Sequence, residues 1–330
     1  MDLDNDVNEM WDSSLSANTK AVYASGMNQY RVFLEKMGYR DARSVTPQIS
    51  EDTLIKFIAY LNTRLDVQYS TIKLYLCGIR HHYIRYGVNT PLQSGVTNVR
   101  VYTFLKSVKR NQQSLPTKRL PVDIGLLSQI VSYLNKGCFG FHDDALMKSC
   151  FTLALFGFLR CAEFTVKENF SEHDNLCLTD LDITQEKIVV NLKTSKTDPF
   201  RKGVAIHIHA THNDVCPLTA IKAYLALRES HGGARQSSAL YVTNDGNPLT
   251  RTKFISNLKF VLQCLGLDES KFSGHSLRIG AATTCSKLRL EDHLIKTLGR
   301  WSSDCYTRYI RTAQSTIQAA QIAMSKVDLG

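Results

Sequence analysis

The chain has 330 residues, 43% hydrophobic and 21% charged, the balance of an ordinary soluble globular protein and a length that suits two cores better than one. A formal net charge of +10 points to an anionic partner, and nucleic acid fits better than membrane because no basic amphipathic stretch or lipidation signal stands out. The opening carries Asp2, Asp4, Asp6 and Glu9, unlike a secretory leader, and the longest apolar segment, residues 150–159, is too short to cross a bilayer.

Residues 1–15 are acidic and polar and are expected to be disordered. From Ser16 the spacing turns helical: Tyr23, Met27, Tyr30, Phe33 and Leu34 recur at helical intervals, with Ser16 or Asn18 as the cap. Further helical patterns cover 51–65, 70–85 and 98–109, so an all-α domain is expected over 16–110. Residues 111–121 (NQQSLPTKRLP) read as an interdomain linker. A second domain follows over 122–330, with helices at 123–135 and 143–158. Strand character appears at 176–183, 187–193 and 203–209. Helices resume at 217–229, 251–265, 276–288, 291–298 and 314–324. The expected fold is therefore mostly α: an all-α N-terminal domain and an α+β second domain with one small antiparallel sheet.

Charge is unevenly spread. Between Asp66 and Asp123 lie 56 residues without one acid, where 30 acids in 330 residues would place about five. The same stretch carries Lys73, Arg80, Arg85, Arg100, Lys106, Lys109, Arg110, Lys118 and Arg119, interleaved with Tyr69, Tyr75, Tyr83, Tyr86 and Tyr102. Such a surface neutralises phosphates and releases counterions from DNA. A short run of this kind would be only a solvated helix face over core tyrosines; its length favours the nucleic-acid reading.

The nine cysteines are scattered without a C-x-x-C pair, which reads as reduced core thiols of a cytosolic or nuclear protein. In HIHATH (207–212), His207 and His209 share a strand face. No third or fourth ligand sits at zinc-like spacing, so no metal site is expected.

Chemistry concentrates in the second half. In LFGFLRCAEF (155–164), Arg160 ends an apolar helical run and Glu163 lies three positions on, on the same face. A guanidinium held by a carboxylate has the planar fork needed for two phosphate oxygens, although an arginine at a helix end also snorkels without any function. GHSLRIGAA (274–282) is more specific. His275 and Arg278 are one turn apart, so both can face one phosphate, Ser276 is the candidate cap of a helix whose N-terminal amides attract anions, and Gly280, Ala281 and Ala282 leave room for close packing. In GRWSSDCYTRYIR (299–311), the Trp301 indole N–H is a donor with no basic role, and Tyr309 follows eight residues later. Lys196 lies in a hairpin connection able to reach a ligand. Singly, each of these residues is as well explained by packing. In this order, donors for a phosphate followed by a tyrosine suggest phosphoryl transfer with tyrosine as nucleophile, and hence DNA strand exchange.

Together these residues resemble the tyrosine recombinase (phage-integrase-like) superfamily over the whole chain. The wording of SKTDPFRKG (195–203), SGHSLRIGAATT (273–284) and LGRWSSDCYTRYIRT (298–312) is most similar to recombinases of eukaryotic mobile elements of the DIRS/Ngaro and Crypton kinds. The resemblance implies a SAM-like core-binding domain at 16–110 and a catalytic domain at 122–330. It implies that Arg160, His275, Arg278 and Trp301 bind the scissile phosphate, that Lys196 protonates the leaving 5′-oxygen, that Glu163 supports the site, and that Tyr309 attacks to leave a 3′-phosphotyrosine. It also implies a double-stranded DNA partner, a tetramer of this chain on paired sites, a nuclear location, and no metal, nucleotide cofactor or membrane. Where most bacterial members carry histidine, this chain has Trp301, a variant also found in the family. Two other readings stay open. A type IB topoisomerase shares the chemistry but generally has lysine in place of His275 and histidine in place of Trp301; a domesticated DNA-binding derivative would have lost site residues.

Overall fold

The computed structural model describes residues 3–92, 98–112, 118–193, 202–230, 237–312 and 314–325. The chain divides into two compact units, 1–116 and 117–330.

The first unit is all helical. Helix α1 spans Leu3–Ser13, α2 Ala17–Lys36, α3 Glu51–Arg64, α4 Tyr69–Arg85 and α5 Val99–Asn111. Ser16 caps α2 by accepting from the Thr19 amide, and Ser50 and Thr53 form a reciprocal capping box at α3, a device worth about 1 kcal/mol. The expected spacing delivers the core: Tyr30, Phe33 and Leu34 of α2 pack with Leu54, Phe57, Ile58 and Leu61 of α3 and with Ile72, Ile79 and Tyr83 of α4. Helix α1 corrects the expected disorder of residues 1–15. Asp4 and Asp6 favour its N-terminal turn. Asp12 and Asn8 bond Arg85 at 2.7 and 2.9 Å, and Trp11 meets the His81 ring edge-on.

In the second unit, α6 spans Ile124–Leu134, α7 Phe141–Phe156 and α8 Cys161–Phe164; Asp123 caps α6. Helix α7 is buried on nearly every side, as its continuous apolar run requires. The sheet is antiparallel in the order β1-β2-β3, with β1 at Leu181–Ile183, β2 at Lys187–Leu192 and β3 at Val204–His209. Ile188 opposes Ile208 and Val190 opposes Ile206, all buried, while His207 and His209 face outward. The strand expected at 176–183 is shorter: Leu178–Asp180 form a 3-10 turn, closed by the Asp180 carboxylate accepting from the Cys177 amide. The helices continue with α9 at Pro217–Ser230, α10 at Arg251–Cys264, α11 at Ser276–Lys287, α12 at Asp292–Gly299 and α13 at Gln314–Met324; a 3-10 helix spans Asp304–Tyr309.

The segment expected as a linker is used at both ends. Helix α5 runs into it as far as Asn111. Residues 118–122 are strapped to the second unit by Leu120 N–H to the Lys271 carbonyl and Val122 N–H to the Ser276 carbonyl, each 2.9 Å. Gly280 makes the strap possible, because a Cβ there would stand 1.7 Å from the Val122 carbonyl oxygen. Among the described residues, no helix is long and apolar enough to cross a membrane. The cysteines are unbridged; Cys150, Cys161, Cys177 and Cys216 are buried, whereas Cys77 and Cys264 are exposed rather than core.

Candidate active site

The site begins where α7 stops. Its helix ends at Phe156, and Phe158 turns the chain with a positive φ of 49°. This break separates Arg160 from the apolar helix that the sequence suggests it ends; Arg160 instead opens α8. Its Nη1 donates to Glu163 Oε1 and its amide to Glu163 Oε2, both at 2.8 Å. A left-handed backbone at a bulky residue costs on the order of 1–3 kcal/mol and is tolerated where surroundings enforce it. Here the turn aims the Phe158 carbonyl inward as an acceptor for two guanidinium groups.

One of these is Arg278, the largest fully buried side chain. Nη1 donates to the Phe158 carbonyl and Nη2 to that of Gly299. Its Cζ lies 4.5 Å from the Trp301 ring centroid and 6.0 Å from that of Tyr309. Gly299 is required at this point, since a Cβ would fall 1.7 Å from an atom of the indole. The two rings pack at 5.2 Å, and Phe158 meets Trp301 edge-on at 6.0 Å.

The second guanidinium is Arg300, which the sequence presents only as the residue before Trp301. It sits in the left-handed region, φ 53°, at the end of α12. It donates to Glu163 Oε2 at 2.8 Å and to the carbonyls of Gly157 and Phe158 at 3.1 and 3.3 Å. Its only local signal is a charged residue between Gly299 and Trp301 at a helix stop.

Arg160 and Arg300 thus share the Glu163 carboxylate, and with Arg278 beside them the largely buried cluster carries an excess of two positive charges. Burial pulls the Arg278 pKa down to about 10, with Arg160 and Arg300 adding repulsion. Burial likewise lowers that of Arg300, which Glu163 partly offsets. The Nε groups of Arg278 and Arg300 are buried without a hydrogen-bond partner among the described residues. The excess charge calls for an anion.

His275 is at the N-cap of α11 and exposed, one turn before the buried Arg278. Ser276 does not cap this helix, contrary to expectation. It is the first helical residue, and its hydroxyl accepts from the Ser273 amide at 2.9 Å. Tyr309 ends its 3-10 helix half-buried beside Trp301, whereas Tyr306 is 3% exposed. A hydrogen bond with Asp292 pushes the Tyr306 phenol up to about 12. Lys196 lies outside the described residues. Lys193, the neighbouring lysine, is tied to Asp180 at 2.8 Å and to the Glu172 carbonyl at 2.6 Å. Burial opposes its charge, but bonds with Asp180 and Cys177 carry its pKa above the usual range.

In the first unit, Lys73, Lys106, Lys109 and Arg110 are exposed, with Lys73 and Lys109 over the Tyr69 ring at 5.9 and 5.8 Å. Tyr102 is exposed, but Tyr83 is core. Arg80 and Arg85 are half-buried, and Arg85 is engaged by α1. Lys118 and Arg119 are exposed in the second unit, where Arg119 donates to the Ser270 carbonyl. Among the described residues no group of three or more His, Cys, Asp or Glu side chains is placed to hold a metal ion.

No protein-family model matches the chain. It is 22% identical over 282 residues to an integrase/recombinase XerD homolog of Selenomonas ruminantium, covering 84% of this chain and 76% of that protein. Its fold is similar to that of the XerH site-specific recombinase bound to palindromic difH substrate in a post-cleavage complex, with a TM-score of 0.65 at 16% identity over 94% of this chain and 80% of the other. The Tn1549 transposon integrase in complex with transposon right end DNA aligns at TM-score 0.57 and 13% identity, over 94% of this chain and 99% of the other. A lambda integrase dimer bound to a COC′ core site aligns at 0.55 and 14%, over 94% and 76%. The mostly helical architecture with a three-stranded antiparallel sheet is thus the fold of site-specific recombinases and integrases.

Proposed function

We propose that the chain is a tyrosine recombinase that cuts and rejoins double-stranded DNA through Tyr309, in the nucleus, for a mobile element of the DIRS/Ngaro or Crypton kind. The observation that carries this reading is Arg278, wholly buried with Arg160 and Arg300 beside it and the rings of Trp301 and Tyr309 over it. Two uncompensated positive charges favour a phosphodiester, whose charge grows on the equatorial oxygens during displacement; fixed donors there lower the barrier by about 2.7–4 kcal/mol each. Tyr309 attacks phosphorus, the bond to the 5′-oxygen breaks, and a 3′-phosphotyrosine forms. Lys196 protonates the leaving oxygen, so the phenol loses one proton as the alkoxide gains one. His275 and the Trp301 indole N–H complete the phosphate grip, and Glu163 holds Arg160. The covalent link conserves the bond energy, so rejoining by a 5′-hydroxyl needs no nucleotide cofactor.

The DNA partner is supported by the fold neighbours, whose structures hold DNA, and by the acid-free stretch between Asp66 and Asp123. The element type is supported by the motif wording; terminal or split repeats around the gene would identify it. The test uses nicked suicide duplexes from the DNA that flanks the gene. A protein–DNA adduct that survives denaturation and maps to Tyr309 is expected. Binding without an adduct would make the chain a non-catalytic DNA-binding derivative, and relaxation of a supercoiled plasmid without strand exchange would make it a topoisomerase.

A further inference from the structure

The segment that carries Tyr309 is fastened at both ends. At its start, Lys296 of α12 pairs with Asp304 at 2.5 Å. At its end stands Thr283 of α11, buried to 1% exposure. The Thr283 hydroxyl donates to the Tyr309 carbonyl at 3.2 Å and accepts from the Arg311 amide at 3.2 Å. One hydroxyl therefore brackets the backbone on both sides of Ile310, where the chain leaves the 3-10 helix. Arg311 reinforces the exit by donating to the carbonyls of Arg308 and Ile310 at 2.7 and 3.1 Å.

Helix α11 also carries Arg278, five residues before Thr283. The guanidinium that faces the Tyr309 ring and the hydroxyl that holds the Tyr309 backbone thus sit on one rigid element. On a helix their separation is set by backbone geometry rather than by loop motion. A displacement of about 1 Å at a reacting atom costs on the order of 100-fold in rate.

We infer that Thr283 is a positioning residue, which sets the distance from the Tyr309 oxygen to the phosphate that Arg278 grips. This inference rests on the recombinase reading above. Valine matches threonine in shape but lacks the hydroxyl, and serine keeps it. Adduct formation on a nicked duplex is expected to fall about 10–100-fold in Thr283→Val, with unchanged DNA affinity, and to stay near the native rate in Thr283→Ser.

A second readout separates positioning from support of the arginines. In Tyr309→Phe, hydrogen peroxide replaces the phenol: its anion attacks phosphorus, the bond to the 5′-oxygen breaks, and that oxygen takes a proton. Adding Thr283→Val should leave peroxide cleavage unchanged, because no tyrosine is left to position. Loss of peroxide cleavage in the double variant, or an unchanged adduct rate in Thr283→Val alone, overturns the inference while leaving the recombinase reading intact. Absence of any adduct from the native protein overturns both.

Discussion

At the residue scale, two tyrosines three positions apart compete for the nucleophile's role, and their surroundings differ. Tyr306 is buried, and the nearby Asp292 carboxylate opposes ionisation of its phenol. Tyr309 is half-buried, with Arg278 6.0 Å from its ring. Phenylalanine keeps each ring and removes only the oxygen. Tyr309→Phe is expected to bind DNA and form no denaturation-resistant adduct, whereas Tyr306→Phe still forms one, with at most a modest loss of stability, about 1 kcal/mol. Adduct formation by the Tyr309 variant alone would move the role to Tyr306. Arg300 belongs to the same scale. It shares Glu163 with Arg160, and removing one member of such a buried pair typically costs about 3–5 kcal/mol. Glu163 thus ties Arg160 to a residue near the opposite end of the second unit's sequence.

Single helices show what an amphipathic pattern does and does not decide. Helix α11 is fully apolar or small at Gly280, Ala281 and Ala282, because the 118–122 strap and α7 press on it. Helix α13 is the opposite case: its described side chains are exposed, including Ile317, Ala320 and Met324 along one face. An apolar stripe left in solvent gains by burial against another surface. If the chain works as the proposed recombinase, that surface is expected to belong to a second copy of this chain on paired sites. Deleting residues 314–330 is expected to leave DNA affinity within about twofold while abolishing paired complexes in gel-shift and light-scattering assays. Normal pairing by the truncated protein would make α13 a local cover only.

Over the whole molecule, the net charge of +10 is concentrated where acids are missing. Lys106, Lys109 and Arg110 lie exposed on or at the end of α5, and Lys73 joins Lys109 at the Tyr69 ring. If these groups neutralise phosphates, reversing Lys106, Lys109 and Arg110 to glutamate weakens binding to every sequence alike. It also flattens the dependence of log affinity on log salt by about 0.9 for each phosphate no longer neutralised. Anisotropy titrations on a fixed duplex between roughly 50 and 200 mM salt measure that slope; an unaltered slope would remove this surface from the interface. Arg85 is a weaker contributor in this state, because Asp12 already neutralises it.

Local pattern determined most of the elements. Helical spacing placed α2 to α5 and α13 within a few residues, since the period of apolar side chains is a property of neighbours in the chain. Alternation placed β2 and β3, and Arg160, Arg278, Trp301 and Tyr309, singled out in the sequence by their order, come together in the fold. Tertiary structure alone decided the rest. Arg300 meets Glu163 across 137 residues and Thr283 meets Tyr309 across 26, separations at which no periodicity links the partners. Helix α1 reads as disordered because its own residues bury nothing; its tie to Arg85 comes from 73 positions away. The break after α7 and the cap of α11 escape a local reading for the same reason. An apolar run does not show where Phe158 must turn its carbonyl toward two guanidiniums. Nor does a serine show whether its hydroxyl closes its own helix or the loop before it. Such choices depend on which distant donor is left unsatisfied when the chain packs, and that is known only once it has folded.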